Sequence, residues 1–415
     1  MKHTPAITRP IPSGGVGWAA IDQREIDAVT TLLKTPQNLF RYRGKEDTHC
    51  SLFEKEVCDK TGIAHAFFVA SGTSALTCAL TALQVGPGDE VIVPGYTYLA
   101  TVAAVIEVGA VPVICEIDDS LSLSPEDFER KLTPYTKAVI PVHMQGVPAR
   151  MDAIWAVARK HGIKVIEDAC QAVGSSYKGA FTGARSDAAA WSLNYYKVLT
   201  CGEGGVFFAK NEADYVRGVY YADVGTPLWD YDVPGVGIIP PFAKGGCRGN
   251  EVNACIARVQ LAKLDDILAK TRALKKRLLQ CLEPGIHYKL QHVDDPEGEC
   301  GIACALIAES AEAALRLSEK LRAEGLETAP AYRPGSPDRH IFPFWEGVLS
   351  KTGATDKGYP WKDPAYKGAA EYSPGMCPQT LDLLSRSLRI GIHLKMDAAN
   401  MEEIAAAVNY ADRAL

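Results

Sequence analysis

Nowhere in the 415-residue chain does an uncharged apolar run reach about 18 residues, the length a helix needs to span a bilayer, so no membrane-spanning helix is expected. A basic block is missing too. Lys and Arg number 44 against 50 Asp and Glu, and a net charge of −6 without a cationic stripe excludes a nucleic-acid footprint. The twelve cysteines never form a CxxC pair and lie scattered through apolar segments, which argues against a zinc knuckle or a disulfide frame and predicts reduced, buried thiols. The nine histidines show neither HExxH nor a tight pair, so no metal site is indicated. There is no internal repeat and no low-complexity tract. The opening MKHTPAITRP lacks the apolar core of an export signal, and a soluble cytoplasmic protein is expected. What is present is an ordinary globular balance, 47% hydrophobic and 23% charged, which rules out disorder as the main state and leaves small molecules as the default partners.

The length suggests two or three domains. From about 60 to 210, short β-rich runs (VIVP at 91–94, PVIC at 112–115, AVIPVH at 138–143, KVIEDA at 164–169, AAAWSL at 188–193, GVFFAK at 205–210) alternate with helix-like stretches such as SALTCALTALQV and MDAIWAVARKHG. Near-continuous apolar strands between helices imply a mostly parallel sheet covered on both faces, so the fold class is α/β. Residues 251–282 read as one long helix bridging two units. Beyond it come a strand at 301–308, a helix, and a Pro-, Gly- and aromatic-rich stretch from Ala329 to Met376. The expected division is a large domain over 1–255 and a smaller α+β domain over 256–415.

Ligands of open parallel sheets sit beyond the carboxyl ends of the strands, so polar residues just after the apolar runs are the candidates. Four places qualify. Ser71-Gly72-Thr73-Ser74 follows AFFVA and opens a helix, whose free N–H groups and dipole make a phosphate seat; the alternative is ordinary capping. Asp168 ends KVIEDA with Gln171 one turn on, poised to hold a cationic ring nitrogen at roughly 4 kcal/mol for a pair about 4 Å apart at an effective dielectric near 20; it could equally cap the next helix. Lys197 follows the run containing Ser192, among apolar and aromatic neighbours. There an amine loses hydration and can serve as a Schiff-base nucleophile. Tyr96-Thr97-Tyr98 puts aromatics at a helix head, fit to stack on a planar ligand or simply to pack in the core.

Gly15-Val16-Gly17-Trp18-Ala19-Ala20 echoes a dinucleotide fingerprint, but the preceding ITRPIPSG is too proline-rich for the buried strand that fingerprint requires. Gly86-Pro87-Gly88-Asp89 reads as a turn. A phosphate seat, a stacking aromatic, a carboxylate for a ring nitrogen and a lysine 29 residues after it are, in this order, the parts pyridoxal 5′-phosphate demands. A transferase, another pyridoxal-phosphate reaction on an amino acid (decarboxylation, elimination or cyclisation) and a non-catalytic regulatory protein all remain compatible with those parts.

The segments SGTSAL, GPGDEVIVPGYTYLAT, VHMQGVPARMD, IEDACQAVGSSYKG, WSLNYYKVLTCGEGG and CPQTLDLLSRSLRIGI resemble the DegT/StrS-type sugar aminotransferases over nearly the whole chain. The resemblance implies the aspartate-aminotransferase-like fold (fold type I) and a homodimer with shared active sites. It implies that Lys197 carries the cofactor as a Schiff base, Asp168 partners the pyridine nitrogen, Gln171 faces the ring oxygen and Tyr98 stacks on the ring. Gly72, Thr73 and Ser192 would hold the phosphate, with His143 near the pocket. Relatives that remove a sugar hydroxyl carry histidine at the aldimine position, so Lys197 favours amino transfer. The expected reaction is ping-pong transfer from glutamate or glutamine to a keto-sugar or related ketone.

One departure stands out. The chain reads GGCRGNEVNACIA at 245–257, so Gly246 occupies the place of the family's Asn that reaches the partner's cofactor phosphate, and Arg248 or Asn250 would have to substitute. FRYRG at 40–44, with the lysine and C-terminal motifs, is similar to a subgroup that includes 8-amino-3,8-dideoxy-octulosonate aminotransferases. Arg333 and Arg339, in the long stretch 329–376, are candidates to receive an acidic substrate.

Overall fold

The computed structural model describes residues 5–35, 39–42, 48–225 and 237–415; Arg43 and Gly44 of the FRYRG segment lie outside them. Seven strands form the main sheet: β1 (His65–Val69), β2 (Glu90–Pro94), β3 (Val111–Cys115), β4 (Thr136–Val139), β5 (Lys164–Asp168), β8 (Ala188–Ser192) and β9 (Gly205–Ala209), in the order β1-β9-β8-β5-β4-β2-β3. A two-stranded ribbon, β6 (Ser176–Tyr177) and β7 (Ala180–Phe181), leaves between β5 and β8. Only β9 runs against the rest, pairing antiparallel with both β1 and β8. The α/β class with a mostly parallel sheet is therefore the observed one.

The two-residue alternation of a strand sorts side chains onto two cores. Phe67, Ala188, Ala190 and Phe207 face one, with α3 (Gly72–Ala82) and α7 (Glu212–Ala222); Phe68, Ala189, Trp191 and Phe208 face the other, with α2 (His49–Thr61) and α8 (Glu251–Ala262). Fully burying each phenylalanine is worth about 1.5–3 kcal/mol. The run Ala188–Ala190 has weak strand propensity, yet it occupies a central strand because α3 packs close over it, and only small side chains fit beneath.

The remaining helices of the first part are α1 (Gln23–Lys34), α4 (Ala100–Val108), α5 (Pro125–Arg130) and α6 (Met151–His161). The expected long helix at 251–282 is two, α8 and α9 (Leu264–Cys281), broken at Lys263. Lys263 is buried, and its Nζ lies 2.6 and 2.8 Å from the Glu25 carboxylate and 2.8 Å from the Ala20 carbonyl. A buried amine needs those partners, and their position at and just before the start of α1 pins the break. Beyond it, α9, α10 (Ala311–Ala323) and α13 (Ala398–Arg413) enclose a three-stranded antiparallel sheet of β10 (Tyr288–Leu290), β11 (Ala303–Ala308) and β12 (Ser387–Gly391).

The packing does not follow the expected 255/256 division. Residue 256 falls inside α8, which packs on α1 and α2, and Ile341, Phe342, Trp345, Cys377 and Leu384 return to the first core of the large sheet. The short α11 (Glu346–Leu349) and α12 (Pro378–Arg386) belong to that return. Glu116, just past β3, accepts the Thr380 N–H at 2.7 Å and the Gln379 N–H at 3.1 Å, a carboxylate set against the N-terminus of α12. The stretch 329–376 is likewise divided. His340 and Arg339 carbonyls accept the N–H groups of Thr97 and Leu99, whereas Tyr366 donates to Glu90 and Tyr372 to Pro112, at the opposite, amino ends of β2 and β3.

Candidate functional site

Because β1, β2, β5 and β8 run parallel, the loops after all four leave from one edge of the sheet. After β1, Ser71 caps α3, its Oγ accepting the Ser74 N–H at 3.1 Å. The first N–H groups of a helix have no partner inside it, so with Ser71 serving Ser74 those of Gly72 and Thr73 remain directed past the N-terminus. The capping alternative and the anion seat thus coexist. Gly72 is buried against the neighbouring loops: a Cβ there would stand 2.7 Å from Ser192 Cβ and 2.9 Å from Cys170 Sγ. Any side chain at 72 would close the gap above the helix end.

Asp168 ends β5 and is buried. Thr101 Oγ1 donates to its Oδ2 at 2.7 Å, and the Cys170 N–H to its Oδ1 at 3.0 Å. Thr101 is in turn 2.7 Å from Thr97 Oγ1, both hydroxyls buried. This relay fixes the plane of the carboxylate. Sequence reading passed over Thr97 and Thr101; their i, i+4 spacing at the head of α4 was the available signal. Exchanging Thr101 for valine keeps the shape and removes a bond to a charged group, worth about 1.5–3 kcal/mol. Thr101→Val is expected to slow the reaction with an amino donor by about tenfold or more, with Thr101→Ser restoring it, as single-turnover kinetics would read; equal rates in all three would show the hydroxyl idle.

Lys197 sits half-buried in residues 193–204, which join β8 to β9. Buried Val198 and Leu199 root this loop in the second core, and the Gly17 N–H donates to the Lys197 carbonyl at 2.9 Å. The glycines of the GVGWAA segment thus have a structural use. A Cβ on Gly17 would stand 2.7 Å from Thr200 N, and one on Gly15 1.9 Å from the Tyr195 carbonyl oxygen, so only glycine lets that backbone lie against the lysine loop. Burial pushes the Cys170 thiol well up, with the Asp168 charge adding and the Lys197 charge opposing, so the amine and the carboxylate act on one thiol.

After β2, Tyr98 is 44% exposed, its ring centroid 5.1 Å from that of His340, which Asp338 holds at 2.8 Å. Tyr96 is buried instead, accepting from Gln145 Nε2 at 2.8 Å, while the Gln145 N–H donates to Gln171 Oε1 at 3.2 Å. Gln145 holds φ at 56°, a conformation rare outside glycine, and its Oε1 is buried with no partner among the described residues. It links Tyr96 to Gln171, a connection the sequence did not disclose.

His143 lies beside Asp168, its N–H donating to the Asp168 carbonyl at 3.0 Å, but its side chain turns away. Its ring is fully buried with Nε2 3.0 Å from Glu167 Oε2, and the Ala149 N–H donates to Nδ1 at 3.0 Å, which leaves the proton on Nε2. Glu167 also accepts from the Gly183 N–H at 2.8 Å and from Ser186 Oγ. Adjacent strand residues point to opposite faces, so a residue that meets Glu167 is turned away from Asp168. Asn250 spends its side-chain oxygen on the Asn253 N–H at the start of α8, and Arg248 is paired with Asp223. Gly246, at φ 133°, lies beside Val224.

The seat at α3, the fixed Asp168 and the nearby lysine loop fit pyridoxal phosphate: a cradle that a Cβ at 72 would fill, an anion end, and a carboxylate for the ring nitrogen. Together with the mostly parallel sheet and its one reversed strand, they define a pyridoxal-phosphate enzyme of fold type I. A model of the DegT/DnrJ/EryC1/StrS aminotransferase family matches residues 19–344, and the chain belongs to that family. Among solved structures it is similar to 3-amino-5-hydroxybenzoic acid synthase (25% identity, TM-score 0.78, covering 99% of this chain and 100% of that one). It is also similar to DesV of S. venezuelae (27% identity, TM-score 0.75, 95% of each chain). DesI, solved in the presence of its TDP-sugar product, shares the fold (22% identity, TM-score 0.75, 99% and 95%). Among the described residues no helix is long and apolar enough to cross a membrane, and no metal-ligating cluster occurs.

Proposed function

We propose that the protein moves an amino group from glutamate or glutamine to a keto-sugar in two half-reactions at this site, as a homodimer. The observation that carries the reading is the convergence of Gly72, Cys170 and Ser192 at the N-terminus of α3, beside an Asp168 whose two oxygens are both fixed. DesI, with its TDP-sugar product, supports a sugar as acceptor.

The Gly72 and Thr73 N–H groups and the Ser192 hydroxyl would hold the phosphate, Asp168 the ring nitrogen, Gln171 the ring oxygen, Tyr98 the ring face, and Lys197 Nζ the cofactor covalently. Pyridoxal phosphate bound there supplies an electron sink for the α-carbon and carries the amino group between substrates. Lys197 Nζ, when free, would be the base that takes the donor's α-proton and the acid that returns it. Asp168 holds its proton partner in place, and Thr101 and the Cys170 N–H keep its carboxylate from rotating. His340, tilted against Tyr98 with ring centroids 5.1 Å apart, limits how far that ring can swing.

The test is to add L-glutamate to the cofactor-saturated protein and look for pyridoxamine phosphate and 2-oxoglutarate in equal amounts. Carbon dioxide or ammonia without pyridoxamine phosphate would replace amino transfer by decarboxylation or elimination.

A further inference from the structure

Two of the cysteines face each other. Cys78, wholly buried on α3, stands with its Sγ 3.9 Å from that of Cys247, within hydrogen-bonding distance for sulfur, and among the described residues no other thiol is bonded to a thiol. Burial pushes the Cys78 thiol well up, as it does those of Cys115, Cys300 and Cys377. Cys247 moves the other way. The bond with Cys78 draws it below the ordinary thiol range, burial opposes, and the Ser74 hydroxyl adds to the lowering. Cys247 is also only partly buried. A partly exposed thiol inclined to ionise, touching one that stays protonated, is the arrangement of an attacking and a resolving cysteine.

Cys247 is tied to the chain on both sides of the anion seat. Its carbonyl accepts the Ala70 N–H at 2.7 Å, and Ala70 leads from β1 into Ser71 and Gly72. Its thiol lies by Ser74, whose N–H and hydroxyl meet the Ser71 hydroxyl at 3.1 and 2.9 Å. The helix is packed against α4, α7, β8 and β9, so it resists a pull on Cys78. A disulfide holds its sulfurs about 2.05 Å apart. Closing the pair would therefore draw Cys247 inward, and Ala70 with it.

We propose that Cys78 and Cys247 form a site of reversible oxidation by hydroperoxides, and that closing it loosens the phosphate seat at α3. With hydrogen peroxide, the Cys247 thiolate attacks one oxygen, the O–O bond breaks, and the hydroxide that leaves takes the proton Cys247 gave up, forming water. The Cys78 sulfur then attacks the resulting sulfenic acid. Its S–O bond breaks, and the hydroxyl departs with the Cys78 proton as a second water. Both thiols are oxidised to one disulfide, and their two electrons reduce the peroxide; a dithiol reverses the change. The effect on the seat rests on the cofactor-binding reading, whereas the thiol chemistry does not.

The experiment treats the holoenzyme, Cys247→Ser and Cys78→Ala with hydrogen peroxide and compares each with its untreated sample. Non-reducing peptide mapping of the wild type is expected to show a cross-link between the peptides bearing Cys78 and Cys247, which dithiothreitol removes. Cys247→Ser should leave Cys78 reduced, and Cys78→Ala should leave Cys247 as a sulfenic acid that dimedone traps. In equilibrium binding, pyridoxal phosphate should bind the oxidised wild type about tenfold more weakly, the equivalent of one lost hydrogen bond, and each variant equally with and without peroxide. Absence of the cross-link, with Cys247 reduced or oxidised alone, overturns the inference, and so does a cross-link that leaves cofactor affinity unchanged. If the untreated wild type binds no pyridoxal phosphate, it is the cofactor reading that falls, while the peptide map still judges the thiol pair.

Discussion

Lys197→Ala is expected to leave the protein folded and to lower the rate of the glutamate half-reaction by about ten-thousandfold, the upper end of what a positioned acid–base group contributes. The fold should survive because the loop is held by atoms the substitution does not touch. Val198 and Leu199 remain buried, the Gly17 N–H still finds the carbonyl of residue 197, and Tyr195 N still meets the Gly202 carbonyl at 3.1 Å. The cofactor should still bind through the α3 terminus, Ser192 and Asp168, but without the near-ultraviolet and visible absorbance of a lysine-linked form, and borohydride should label no lysine. Methylamine, small enough to enter where the side chain was, should restore part of the proton transfer. An alanine variant that turned over at a rate near wild type would remove Lys197 from the chemistry, and one that lost its melting transition would show the loop depends on the amine.

How much of this was legible beforehand depended on how local each signal was. Strands β2, β3, β5, β8 and β9 could be read because each is a short, largely buried apolar run, and Asp168, Ser192, Gly72 and Lys197 stood out as candidates because they end such a run or come within five residues of one. The break at Lys263 could not. It depends on Glu25, 238 residues away in the chain, and a helical pattern in 251–282 carries no trace of it. The orientation of the His143 ring could not be read for the same reason, since its partner Glu167 is the strand neighbour of Asp168 and only the pleat decides which face it takes. Thr101 and Gln145 acquire meaning from residues more than 40 positions away, Asp168 for the first and Tyr96 for the second. Gly15 and Gly17 resembled a phosphate motif and turned out to serve a backbone contact, which sequence spacing alone cannot distinguish.

Asp168 and Glu167 offer the sharpest separation of chemistry from stability, because they are adjacent, both buried, and turned to opposite faces of one strand. Asp168→Asn keeps size and shape but removes the charge that would hold a protonated ring nitrogen. At an effective dielectric near 20 and about 4 Å such a pair is worth roughly 4 kcal/mol, which converts to about a thousandfold in rate. The melting temperature should change little, since the Thr101 hydroxyl can turn and the Cys170 N–H still finds an amide oxygen. A cofactor analogue methylated on the ring nitrogen carries its positive charge permanently, so it should recover part of the lost rate in Asp168→Asn and little in Lys197→Ala. Glu167→Gln should do the reverse. It disturbs acceptors for His143, Gly183 and Ser186 in a fully buried cluster, costing about 1–3 kcal/mol of stability, while the rate per folded molecule stays within a few-fold of wild type. Thermal unfolding and single-turnover kinetics on the two variants give four numbers. A rate loss in Glu167→Gln as large as that in Asp168→Asn, or no rescue of the latter by the methylated cofactor, would show that the ring nitrogen is not what Asp168 holds.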